Sequence, residues 1–179
     1  MKKIYVLTTM LLAFAFAVNA QKTVEGSEKS PLGDSGPALI VEVEGQRDNV
    51  EDVMKDKFKT LKTGTKKGYI VMEKQAYEEI SPNTMDLYYK VEKSGDSQSR
   101  VIMFMSTGYD NWMTQQSHPQ EISNAKAILD GLAREVRLYE LNLAIEAQNK
   151  VVEKAVKNQE DLEKEFEKLE KEREKLEDD

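Results

Sequence analysis

The sequence predicts an α+β fold: a small β-α-β-β-β head packed on the start of a long C-terminal α-helix, which continues as a coiled-coil-like arm. Three observations point there. From Gln120 to Asp179 the chain carries no proline and one glycine, Gly131. A helix drawn over 117–179 would span roughly 90 Å at about 1.5 Å per residue. Upstream, Met85, Leu87, Tyr89 and Val91 alternate with Asp86, Tyr88, Lys90 and Glu92, the period of a strand with one wet face. From Arg100 to Met105 the apolar run is continuous, which suits a central strand covered on both sides.

Residues 1–20 read as a signal peptide. Lys2 and Lys3 precede an apolar run that reaches Val18, and Val18-Asn19-Ala20 supplies a cleavage site before Gln21. Threonines at 8 and 9 interrupt the run, which is shorter than the roughly 20 apolar residues a membrane span needs. The mature chain is therefore expected to be exported, periplasmic or secreted, with no membrane span. It contains no cysteine, so it offers no lipid anchor on that residue, no disulfide and no thiolate metal site. The formal net charge is −7, and more negative once Lys2 and Lys3 leave with the leader. Such a surface repels phosphate backbones and anionic lipid, which argues against nucleic-acid partners.

Residues 21–37 hold Gly26, Pro31, Gly33, Gly36 and Pro37 among small polar side chains and read as a flexible linker. The head, 38–116, opens with a strand from Ala38 to Glu44. Asn49 is the candidate cap of a helix whose apolar face carries Val50, Val53, Met54, Phe58 and Leu61, with Gly64 as its stop. Gly68 to Tyr77 is rich in β-formers, Ser81-Pro82-Asn83 reads as a turn, and Ser94-Gly95-Asp96 joins the last two strands. The expected arrangement is an antiparallel meander after one crossover. About 80 residues make a marginal core, so the start of the long helix, 117–143, is expected to pack on the head and complete it.

That helix carries two apolar stripes. Ile122, Ala125, Leu129, Leu132, Val136, Tyr139 and Leu143 recur at steps of three and four and form the stripe that faces the head. The second takes Leu138, Leu141, Ile145, Val152, Leu162, Phe166, Leu169 and Leu176, with Gln148, Ala155, Gln159 and Arg173 at the intervening seam positions. It is offset by two residues, about 200° around the helix. The head cannot reach it. Between Val136 and Ile145, where the stripes overlap, the helix is expected to be sandwiched. With Leu162, Leu169 and Leu176 at heptad position d, the flanking e and g positions hold Glu163, Glu165, Glu170, Glu172, Glu177 and Asp179. Self-pairing there sets like charges together, so three arrangements stay open. The distal helix is solitary, or it meets a partner helix with basic flanks, or it self-associates between Leu138 and Ala155.

No catalytic constellation emerges. His118, the only histidine, precedes Pro119 at the helix start and reads as a cap or surface residue; a metal site with Asp110 rests on chance spacing. No phosphate-binding glycine loop, calcium loop or dinucleotide fingerprint occurs, and neither a cofactor nor a metal is expected. The loop holding Tyr109, Asp110, Asn111 and the sole tryptophan, Trp112, has the mixture that recognition loops favour, against the plainer reading that Trp112 plugs the joint between strand and helix. The methionines at strand spacing read as core. The expected function is that of a non-enzymatic, exported structural or interaction protein that assembles through its C-terminal helix. The alternative is a ligand-binding or chaperone-like module using the head's sheet or the aromatic loop.

Overall fold

The computed structural model describes residues 22–109 and 111–177, without the side chains of 172 and 174–177. The leader expected at 1–20, Asp110 and the side chain of Leu176 lie outside the described residues. The chain divides into two compact units, one ending at Arg137 and the other starting at Leu138.

The first unit is built on a six-stranded sheet in the order β1-β2-β6-β5-β4-β3. Its strands are β1 (Val24–Lys29), β2 (Ser35–Glu44), β3 (Gly64–Lys66), β4 (Tyr69–Tyr77), β5 (Ser81–Lys93) and β6 (Gln98–Ser106). Every pairing is antiparallel. Helix α1 (Arg47–Lys57) carries the chain from β2 to the far edge, and the meander returns to set β6 against β2. The α+β class, the crossover and the meander are as the sequence implies.

Register decides what each face carries. Leu39 and Tyr89 flank Met103, Val41 and Val91 flank Val101, and Leu87 pairs with both Met105 and Met72. These side chains share one face because pairing partners in a sheet point the same way. Helix α1 covers that face with Val50, Val53, Met54 and Phe58. Helix α2 (Pro119–Glu177) adds Ile122, Ala125, Leu129, Leu132 and Val136, all 3% exposed or less. Lys57 of α1 bonds Glu135 of α2 at 2.8 Å, and Asn124 donates to the Ile80 carbonyl at 3.0 Å.

The opposite face is also dry. Ala38, Ile40, Tyr69, Tyr88, Ile102 and Phe104 cluster there, with Val71 and Trp112 packed against them. Among the described residues no helix covers them; the sheet closes over itself. The Tyr69 hydroxyl on β4 donates to the Lys29 carbonyl on β1 at 2.7 Å, and Lys67 reaches the Leu32 carbonyl at 3.3 Å. The first bond joins strands that stand four places apart in the sheet order.

Several expectations are corrected. Residues 24–29 are not linker but strand β1, held by backbone pairing to β2 and by Lys126 to Glu25 at 2.6 Å and Thr23 N–H to Asp130 at 2.6 Å. Its side chains are mostly polar, so hydrophobic periodicity is blind to it. Gly64 begins β3 instead of stopping α1, which starts at Arg47 behind Gln46, not behind Asn49. Ser81-Pro82-Asn83 opens β5; the turn lies just before it, closed by Ile80 N–H to the Tyr77 carbonyl at 2.8 Å. The face of β5 expected to be wet is buried at Asp86 and Tyr88 because the sheet curls over it.

Asp86 has a structural task. Between Met72 and Gln75 the β4–β5 register slips, Lys74 adopts φ 54°, and its N–H donates to the buried Asp86 carboxylate at 2.7 Å. The slip moves the inward phase of β4 from even to odd residues, so that Met72 and Tyr77 both reach the helix-covered face. Phe58 meets Tyr77 and Tyr89 there, with ring centroids 5.1 and 5.7 Å apart. Replacing Asp86 with alanine removes this charge-assisted bond, and we expect a loss of about 1.5–3 kcal/mol in denaturant-unfolding free energy. Burial pushes the phenols of Tyr77, Tyr88 and Tyr89 up to about 12, with smaller contributions from Glu79, Asp86 and Glu51 respectively. A raised folded-state value favours the neutral phenol in the fold. Stability should therefore be intact below pH 10, the ordinary tyrosine value, and fall as pH rises towards 12, a decline that denaturation midpoints will track.

Candidate interaction surface

The two stripes of α2 have opposite fates. Along the first, Val136 is fully buried, Tyr139 is half-buried and Leu143 is 41% exposed. Along the second, Leu138, Leu141, Ile145 and Val152 are 49–55% exposed. Leu162, Phe166 and Leu169 stand at 58–65%. Leu162, Phe166 and Leu169 border an open groove along this helix, with Gln159 and the glutamates beside them.

The flanks of this stripe change character along the helix. Val151 and Val156, at g and e positions, are 59% and 50% exposed and widen the apolar face. Asn142, Ala144, Asn149 and Asn158 complete an uncharged border through residue 158. From Glu163 onwards every flanking position is acidic. The valines are the interaction residues that a three-and-four spacing overlooks, and the signal that finds them is the absence of charge at e and g.

The aromatic loop splits in two. Trp112 is half-buried, with ring centroids 5.3 Å from Phe104 and 5.9 Å from Tyr88. A Cβ at Gly36 would lie 2.9 Å from its indole nitrogen, so glycine is required there for the ring to sit down on β2. Tyr109 is 89% exposed at φ 56°. Its carbonyl accepts from the Ser106 hydroxyl at 3.1 Å, and Thr107 N–H donates to the Asn111 carbonyl at 3.1 Å. The loop thus holds Tyr109 out and Trp112 in, and the two rings do not share a surface.

His118 is the residue before the helix, with its Nδ1 2.9 Å from Ser117 Oγ. The Ser117 hydroxyl accepts from the Thr114 N–H at 3.1 Å, and the Gln120 amide donates forward to Asn124 at 2.9 Å. Among the described residues no group of three or more histidine or acidic side chains could hold a metal ion. No described helix is long and apolar enough to cross a membrane. Near Met103, Met105 and Met113 there is a crevice of about 10 Å³, the room of a single water, consistent with methionines that fill core.

No family model matches the chain, and neither does any curated protein or solved structure. The site is therefore defined by its own geometry.

Trp112→Ala should cost about 3 kcal/mol, the lower end of the range for a large aromatic, because its ring is half-covered. Tyr109→Ala should stay within about 0.5 kcal/mol of the parent. Thermal unfolding of the two variants checks both, and Trp112 fluorescence should be blue-shifted and resistant to acrylamide.

Proposed function

We propose that this is a non-enzymatic, exported structural or interaction protein that assembles through the distal half of α2 and presents the α+β head. The observation that carries this reading is the run of half-exposed apolar side chains from Leu138 to Leu169. Contiguous exposed apolar surface on this scale is the mark of a protein contact. A solitary helix with solvated flanks has no use for it, since an isolated helix draws its stability from packing an amphipathic face.

Charge supports the location. The apolar border is uncharged where the stripe is widest, from Leu138 to Asn158, and association there meets no like-charge penalty. Chemistry that needs a nucleophile beside a base finds only His118, which lies against Ser117 at a helix start. A ligand-binding or chaperone-like role is the second reading; what favours it is the fully presented ring of Tyr109.

Light scattering on the purified protein should give an oligomer at low micromolar concentration. The double variant I145D/V152D should fall to the mass of one chain while its head unfolds at an unchanged temperature. A single-chain mass for the unaltered protein, with its helical circular dichroism intact, sinks the reading.

A further inference from the structure

We infer that the partner of the exposed stripe is the same stripe of a second copy, running antiparallel, with Leu138 of one chain opposite Leu169 of the other. The inference rests on the assembly reading above and gives it an orientation and a register.

Among the described residues the large exposed apolar side chains outside this helix are Val24 and Tyr109. Among the described residues the head of a second copy therefore offers only these two separate apolar side chains, not a continuous stripe. Its complement within this protein is the stripe itself.

The stripe reads alike in both directions. In an antiparallel pair, position a of one helix meets position d of the other. Leu138 then faces Leu169, Leu141 faces Phe166, and Ile145 faces Leu162. Further in, Gln148 meets Gln159 and Val152 meets Ala155. Each large apolar residue finds another, and the two glutamines, both exposed in the single chain, find each other. Sliding the pair by one heptad sets Gln159 against Leu141 or Gln148 against Phe166, and leaves buried amides without partners. A polar layer of this kind selects one register at some expense of stability.

Charge selects the direction. A parallel pair in register places Glu165 against Glu170 and Glu172 against Glu177 of the second copy. In the antiparallel pair Glu163 meets Asn142, Glu165 meets Ala144, and Val151 and Val156 meet Asn158 and Asn149. No like charges face one another between Leu138 and Leu169. The paired stretch is about 48 Å long at about 1.5 Å per residue, roughly four heptads, which is ample for a stable two-helix contact.

The chain lacks cysteine, so introduced thiols report without interference. Q148C and Q159C variants of the full chain, carrying tags of different size, are mixed and oxidised in a glutathione buffer. The mixed disulfide should exceed either homodimer by about tenfold, because only that pair brings the thiols within bonding reach. The pair I145C and L162C, one layer further out, repeats the test with both glutamines in place, and its like residues lie 17 positions out of register in the antiparallel pair. Homodimers from each variant alone, in equal or greater yield, establish parallel pairing and overturn this inference while leaving self-assembly standing. A single-chain mass for the unaltered protein removes both.

Discussion

Strand β6 has no wet face, and the rest of the first unit follows from that. Val101, Met103 and Met105 point one way, Ile102 and Phe104 the other, and all five are buried. A strand in this position must have neighbours on both edges and cover on both faces. The edges are supplied by β2 and β5. One face is covered by α1 and the first turns of α2, and the other by the curl of the sheet and the ring of Trp112.

The two coverings differ in what they demand. Helices cover by side chains alone, so Val50, Val53 and Met54 on α1, Phe58 at its C-cap and the stripe from Ile122 to Val136 on α2 are sufficient. A curled sheet covers by bringing backbone to backbone, and polar contacts have to close it. Tyr69 to the Lys29 carbonyl does this on one side, and Arg100 to Glu28 ties β6 to β1. The register slip beside Asp86 belongs to the same adjustment, since it lets a bent β4 keep its apolar side chains turned towards Phe58.

Helix α2 is a single element with two kinds of environment. Up to Val136 its stripe is spent on the head's core; from Leu138 the stripe is intact and uncovered. That contrast, between 0% exposure at Val136 and 50% at Leu138, is what turns a periodic sequence into a candidate interface. The reversal symmetry of the second stripe, with its two glutamines set equally far from the ends, is a property of side-chain order that gains meaning only once the face is known to be open.

The elements with strong apolar period were legible in the chain: the central strand at Arg100 to Met105, the alternation from Met85 to Val91, the amphipathic α1 and both stripes of α2. The α+β class followed from them. Period carries this information because it records which residues must leave water, and that choice is local. What tertiary structure decided is what local pattern does not encode. Polar β1 became a strand because an edge of β2 was free to pair and Asp130 and Lys126 stood ready on α2. Tyr88 and Asp86 were buried because the sheet closed over them, and Trp112 turned inward because Gly36 left room for its ring. The exposure of the second stripe, 49–65% from Leu138 to Leu169 at its large apolar residues, is likewise something period alone does not give, because period marks a face and not what covers it.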